Sequence, residues 1–223
     1  LIALAAEYAY LSGNRSQAID LYRQAIDLGD RRPDTTERLV AALYTDGRYN
    51  EANAYLGRLR ADQPANDRIE SLAIELAVKQ NRLAAALDLA KQAVAHWPNH
   101  PTHYLWLANL QSLNSQQQEA ENPFREAIRR FPEDPRVWNS LFAYFIRVKQ
   151  PDKARHALEQ WSQKAGDQEP AKQFILAQGY ELLGDTVAEQ KYYRATITAD
   201  AKNIQARLRL AKLLLSSDVN AAR

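Results

Sequence analysis

Three histidines, His96, His100 and His103, fall within eight residues of one another. A spacing of four residues would place His96 and His100 on one face of a helix, where two imidazoles can share a metal ion. Pro98 stands between them, and proline ends a helix because it has no backbone N–H and its ring clashes with the preceding turn. We therefore predict a turn here, with three solvated histidines, no metal site and no cofactor.

Other residues that could do chemistry lack the surroundings that catalysis requires. The carboxylate pairs Asp30 with Asp34 and Glu133 with Asp134 fall in predicted turns, where they cap the following helix. The sequence has no glycine-rich phosphate loop and no G-x-S-x-G motif. It has no cysteine, which excludes thiol catalysis and thiolate metal sites. We predict no catalytic residues and no enzyme activity.

Four tryptophans raise the alternative of a surface on which sugar rings stack. Trp138 and Trp161 occupy positions expected to pack between helices, whereas Trp97 and Trp106 are less clearly placed. Because large aromatic side chains are mostly buried, we favour a core role for all four.

The composition favours an ordered protein that binds neither nucleic acid nor a bilayer interior. The 29 basic and 27 acidic residues nearly cancel, and no run of five like charges occurs, so a phosphate backbone finds no basic patch. No uninterrupted apolar stretch is long enough to cross a membrane, so we predict no membrane insertion. The cytoplasm and the bacterial periplasm both remain open. The first residue is Leu1 within a helical pattern, and we expect a fragment of a longer, bacterial protein.

Alanine recurs along the chain at one fixed interval. The interval is 34 residues, and the alanines in this register are Ala18, Ala52, Ala86, Ala120, Ala154, Ala188 and Ala222. Pro64, Pro98 and Pro132 follow the same interval. Apolar residues between them have helical spacing. Small residues let two helix axes approach closely, and proline ends a helix, so each interval predicts a helical hairpin that stacks on its neighbours.

This pattern resembles the tetratricopeptide repeat, whose 34-residue unit reads W-x2-L-G-x2-Y, A-x3-F, A and P. The resemblance in the first helices is carried by Trp138, Leu141 and Phe145, by Tyr104, Leu107 and Ala108, and by Leu39 and Leu43. In the second helices it is carried by Ala18, Tyr22 and Ala25, by Ala120, Phe124 and Ala127, and by Ala188, Tyr192 and Ala195.

The resemblance implies an all-α fold, a right-handed α-solenoid (superhelix) of about six 34-residue helix-turn-helix repeats plus a partial seventh. The repeats would form a single array over residues 1–223, at approximately 1–32, 33–66, 67–100, 101–134, 135–168 and 169–202, with a partial repeat at 203–223. We expect Gly13, Gly47 and Gly184 to end first helices.

Several positions depart from the repeat. Asn81 and Lys149 replace the turn glycine. The first helix of the sixth repeat is shifted by one residue, and we expect a short turn between Gly184 and Ala188 to restore the phase. Pro123 falls inside a second helix, so either that helix is kinked or it starts late, with Asn122 as its cap and Ala120 outside it.

In this family the first helices of successive repeats line a concave groove, so the resemblance implies a scaffold that binds a protein or peptide. Co-chaperone members hold a C-terminal carboxylate with basic residues and asparagine in this groove. The corresponding rows are Ala3, Glu37, Ser71, Leu105, Asn139 and Phe174, and Glu7, Ala41, Glu75, Asn109, Ala143 and Gln178. Neither row contains lysine or arginine, which excludes such a carboxylate clamp.

The predicted groove is acidic in its first half and neutral in its second. Its residues are Glu7, Tyr10, Glu37, Tyr44, Glu75, Asn109, Asn139, Phe174 and Gln178. A ligand with basic and apolar groups would suit this groove better than an acidic one.

A different class of function remains open. The chain could be the recognition or assembly arm of a larger enzyme, or of an envelope polysaccharide-secretion machine, with the catalytic or transport part elsewhere. An RNA-reading repeat protein is disfavoured, because it would need a 35-residue period and a basic groove. We also expect self-association through the exposed C-terminal repeat, where Leu210, Leu213 and Leu214 lack a covering helix.

Overall fold

The computed structural model describes residues 1–62, 66–114, 116–164 and 169–221; Pro64 and Ala222 lie outside the described residues. All secondary structure in these ranges is α-helical, which confirms the all-α prediction. The helices are α1 (Ile2–Leu11), α2 (Arg15–Asp27), α3 (Pro33–Thr45), α4 (Tyr49–Asp62), α5 (Asp67–Lys79), α6 (Leu83–His96), α7 (Pro101–Leu113), α8 (Gln117–Arg130), α9 (Pro135–Arg147), α10 (Pro151–Lys164), α11 (Pro170–Leu183), α12 (Thr186–Ala199) and α13 (Ile204–Ala221). Within the described ranges, no helix is both long and apolar enough to cross a membrane.

The chain divides into two compact units, Leu1–Asn114 and Ser115–Arg223. In the first unit, α1 packs on α2, α3 on α4 and α5 on α6, and each pair also packs on the next helix along the chain. In the second unit, α9 packs on α10 and α11 on α12, with α10 against α11 and α12 against α13. The single array over residues 1–223 stays a prediction.

The periodic alanines lie where helices cross. Five of them are at most 1% exposed, namely Ala18, Ala52, Ala86, Ala120 and Ala154. A side chain that ends at Cβ lets the facing helix approach to close-packing distance. The buried tryptophans complete this packing in the second unit, where the rings of Trp138 and Trp161 lie 5.4 Å apart, as expected of core residues.

The sixth repeat keeps its one-residue shift instead of losing it. We expected Ala188, Tyr192 and Ala195 to form the buried face of its second helix, but the buried residues of α12 are Glu189, Tyr193 and Thr196. Each lies 35 residues after a buried residue of α10, namely Ala154, Leu158 or Trp161. The expectation that the short turn restores the phase is therefore wrong, because α12 as a whole begins one residue late.

The second helix that contains Pro123 does not start late. It runs as α8 from Gln117 to Arg130, with Ala120 inside it and fully buried. The late-start alternative is therefore wrong. Pro123 has no N–H to donate to the carbonyl of Glu119, so this helix turn lacks one backbone hydrogen bond, and the proline itself is buried.

One position in the first helices ties four of the repeats to the repeat before each of them. This position holds Glu70, Tyr104, Trp138 and Lys172 at intervals of 34 residues, and all four are buried. The Tyr104 hydroxyl donates to the carbonyl of Pro98 over 3.1 Å, and the Trp138 indole N–H donates to the carbonyl of Pro132 over 2.8 Å. Glu70 accepts two 3.0 Å bonds from Arg60, and Lys172 donates to the carbonyl of Ser162 over 3.0 Å.

The C-terminal helix exposes a different apolar set from the one expected. Leu210, Leu213 and Leu214 are only partly exposed, and Leu210 packs against the cluster around Tyr193. Among residues 204–215 of α13, whose side chains the structure describes, the large apolar residues that are exposed are Ile204, Leu208 and Leu215. These residues replace the predicted contact surface, and self-association through it stays a prediction.

The turns that end α3 and α9 share a left-handed residue. Gly47 has a φ of 78°, and Lys149, which replaces glycine at the corresponding turn, has a φ of 56°. In both turns the following N–H closes the helix end, from Arg48 to the carbonyl of Leu43 and from Gln150 to the carbonyl of Phe145, each over 2.9 Å. Lys149 therefore adopts a backbone conformation that a residue with a Cβ rarely occupies.

Replacing Lys149 by glycine should increase stability. Relief of the left-handed strain exceeds the added entropy of the unfolded chain, so we expect the free energy of unfolding of Lys149→Gly to rise by about 0.5–1 kcal/mol. The reciprocal change Gly47→Ala should lower it by about 1 kcal/mol. Urea unfolding followed by circular dichroism measures both, and a destabilised Lys149→Gly variant would contradict this account of the turn.

Candidate functional site

The predicted groove residues lie on first helices in both units. In the first unit, Glu7 and Tyr10 lie on α1, Glu37 and Tyr44 on α3, Glu75 on α5 and Asn109 on α7. In the second unit, Asn139 lies on α9, and Phe174 and Gln178 lie on α11. We call the surface that these residues of the first unit form on α1, α3, α5 and α7 the first-helix face.

Arginines from neighbouring repeats occupy much of the acidic part of the first-helix face. Arg38 of α3 pairs with Glu7 of α1, and Arg68 of α5 pairs with Glu37 of α3 over 3.3 Å. Both pairs join first helices of consecutive repeats. The carboxylates therefore act first as structural ties, and less negative charge is available to a ligand than the sequence suggests.

Glu75 has a different neighbour. Its carboxylate lies beside the hydroxyl of Tyr44, and burial together with this negative charge raises the pKa of Tyr44 above its usual range. The Tyr44 ring also packs at 5.7 Å against Tyr49 of α4, which fixes its orientation. A carboxylate beside a fixed, partly exposed aromatic ring can accept a cationic side chain and cover its apolar stem.

The second unit offers less on its predicted residues. Asn139 is exposed, whereas Phe174 is partly buried and packs against Tyr193 at 6.0 Å. Phe174 therefore supports the core of this unit, so much of its ring is not free for a ligand.

Sequence reasoning missed a cavity in the second unit. It has a volume of about 630 Å³ and lies between α8, α9 and α10. Its wall is formed by Ile128, Leu141, Phe145 and Ala157, and its rim includes Glu121 and Lys153, which pair over 2.5 Å. The available signal was the strong segregation of charged and apolar residues along α8, a second helix outside the predicted groove.

The histidine prediction is wrong for one residue. The helix does end before Pro98, since α6 stops at His96, and His100 is the N-cap of the next helix. His103, however, lies inside α7 and is 1% exposed. Its Nε2 contacts a carboxylate oxygen of Asp67, because α7 begins directly at Pro101 and turns this ring towards the start of α5.

Comparison with known proteins identifies the repeats. A family model described as tetratricopeptide repeat matches residues 68–222. A curated relative, cellulose synthase operon protein C of Pseudomonas fluorescens (strain SBW25), is 31% identical over 146 residues, which is 62% of this chain and 11% of the relative. The chain thus spans about a tenth of that relative's length.

Solved structures resemble the fold at low sequence identity. A thermophilic tetratricopeptide repeat protein of Thermus thermophilus matches with a TM-score of 0.57 and 21% identity, over 82% of this chain and 100% of that chain. PilF of Pseudomonas aeruginosa matches with a TM-score of 0.60 and 15% identity, over 96% of each chain. Together these matches confirm a helical-repeat solenoid.

The two arginine–glutamate ties should differ in strength. Glu37 is almost fully buried, whereas Glu7 is about a third exposed, so Arg68 compensates a larger desolvation than Arg38 does. Double-mutant cycles with glutamine at each position should give a coupling of about 1 kcal/mol or more for Glu37–Arg68 and a few tenths for Glu7–Arg38. Thermal unfolding provides the measurement, and equal couplings would contradict the ranking.

Proposed function

Because the chain belongs to the tetratricopeptide repeat family, whose repeats generally mediate protein–protein interactions, we propose that it is a non-catalytic scaffold that binds a protein or peptide. The ligand contacts the first-helix face. It carries at least one basic side chain with an apolar neighbour.

The arrangement of Glu75 beside Tyr44 carries this proposal. Within the described residues, Glu75 takes part in no salt bridge, whereas Glu7 and Glu37 are tied to arginines. The face therefore keeps one carboxylate for a ligand, next to an aromatic ring that a neighbouring helix holds in place. Binding of a lysine or arginine there would remove little structural charge pairing.

Reversing the charge of Glu75 should weaken binding of a basic peptide. We expect Glu75→Lys to reduce the affinity of peptides that combine arginine or lysine with leucine or phenylalanine by about five- to tenfold, because an attraction becomes a repulsion. Fluorescence anisotropy with a labelled peptide library measures this change, and the salt dependence of affinity should decrease in the variant.

Asp88→Lys is the matched control. It introduces the same charge change on α6, where Asp88 is exposed on a second helix away from Tyr44. An equal loss of affinity in both variants would show that the effect comes from the net charge of the chain and not from Glu75. Unchanged affinity in Glu75→Lys would contradict binding at the first-helix face.

The second candidate is an assembly arm of a polysaccharide-producing machine. The match to the relative named cellulose synthase operon protein C favours it, because that match covers 62% of this chain. In this proposal the array contacts protein components of the machine, and the chemistry or transport lies in other polypeptides or other segments.

Site-specific photo-crosslinking in the source cells distinguishes the two proposals. A crosslinker at Tyr10 or Tyr44 should capture components of a glucan-synthesising assembly if the chain is such an arm. A crosslinker at Asp88 provides the control on a second helix. Capture of proteins with no relation to polysaccharide synthesis, specific to the tyrosine positions, would support the general scaffold and contradict the arm.

A further inference from the structure

We propose that Asp67, His100 and His103 form a binding site for a divalent transition-metal ion, with Zn²⁺ as the best match. One ligand atom from each residue lies within 4.8 Å of the other two. Asp67 is the first residue of α5, His100 is the N-cap of α7, and His103 lies in the first turn of α7. The proposal is independent of the ligand of the first-helix face.

The distances suit a small ion. The Nδ1 atom of His100 lies 3.3 Å from one carboxylate oxygen of Asp67, and the Nε2 atom of His103 contacts the other. In a tetrahedral zinc site with bonds of about 2.0–2.1 Å, neighbouring ligand atoms lie about 3.3 Å apart. To hold the ion, the two imidazoles must approach each other and the contact between His103 and Asp67 must lengthen. The side chain of His100 is half exposed and has room to rotate.

The state of His103 supports a ligand role. This imidazole is almost completely buried, and its Nδ1 atom has no hydrogen-bond partner among the described residues. Nε2 faces a carboxylate oxygen of Asp67, so in the metal-free chain Nε2 carries the proton and donates it to Asp67. A metal ion at Nε2 takes the place of that proton, and Nδ1, which has no hydrogen bond to give up, can carry the proton instead.

The ligand set selects the class of ion. Two imidazoles and one carboxylate suit Zn²⁺, Co²⁺, Ni²⁺ or Cu²⁺ and are unlike the oxygen-only sets of Mg²⁺ and Ca²⁺. Three protein ligands leave at least one position for water. The positive ends of α5 and α7 meet at this point and oppose a cation, so the charge of Asp67 is needed and the affinity is lower than in a closed four-ligand site.

A bound ion would connect consecutive repeats. It would join the start of α5 to the start of α7, which are held together in its absence by the contacts of Asp67 with the two histidines. Ligands that bind only the folded state stabilise it, so the metal should raise the unfolding temperature of the chain.

Isothermal titration calorimetry with Zn²⁺ on the full 223-residue chain, after removal of any histidine tag, tests the proposal. We expect one ion per chain, and at least a tenfold loss of affinity in His100→Ala and in Asp67→Asn. Co²⁺ should give visible absorption bands of the intensity typical of four- or five-coordinate sites, and these bands should disappear in His100→Ala.

Two histidines outside the cluster provide controls. His96→Ala changes an exposed residue four positions from His100, and His156→Ala changes an exposed residue of the second unit. Both variants should bind Zn²⁺ as the unmodified chain does. His100 is itself exposed, so His100→Ala should keep its helical circular dichroism spectrum, which separates loss of a ligand from loss of the fold.

Three outcomes would overturn the proposal: no saturable binding of Zn²⁺, equal binding by His100→Ala, or an equal loss of binding in His156→Ala. If the chain binds one ion but its unfolding temperature does not rise with the metal, this result would contradict the inferred link between α5 and α7.

Discussion

A pair of helices of about 13 residues cannot bury both of its apolar faces, and this constraint underlies the rest of the structure. Each pair must therefore pack on the next helix along the chain, and the closeness of that packing depends on a buried alanine in the second helices α2, α4, α6, α8 and α10. Where alanine is replaced at the structurally equivalent position, as by Glu189 in α12, a larger side chain must be buried at the crossing. The regularity of the sequence thus follows from a steric limit that acts at every repeat.

The fold could be predicted from the sequence at positions where a residue type occurs in only one kind of structural environment. Alanine at a crossing, tryptophan between helices and glycine at a left-handed turn each predict their own surroundings, and Ala52, Trp138 and Gly47 were found in them. For the sixth repeat, the sequence predicts the one-residue shift of the first helix, α11, but not its persistence through the second helix, α12. The reason is that Ala188 falls in the original 34-residue register although the buried face of α12 has moved by one residue.

The candidate site was less predictable, because its chemistry arises from pairs that are distant in sequence. Arg38 and Arg68 were not assigned to the groove, yet each neutralises an acid from the preceding repeat. Asp67 and His103 are 36 residues apart and meet only because two first helices begin at the same end of the first unit. The periodic pattern assigns residues to helices, but rotamers and the exact start of each helix decide which side chains meet.

The position occupied by Glu70, Tyr104, Trp138 and Lys172 shows that four unlike side chains can fill one structural role. An acid, a phenol, an indole and an amine each reach back to the preceding repeat, three of them to a backbone carbonyl. The feature that these four repeats share is therefore a buried polar tip of sufficient length, and the chemical group that supplies it differs from repeat to repeat. A repeat pattern written in residue types alone misses this link between neighbours.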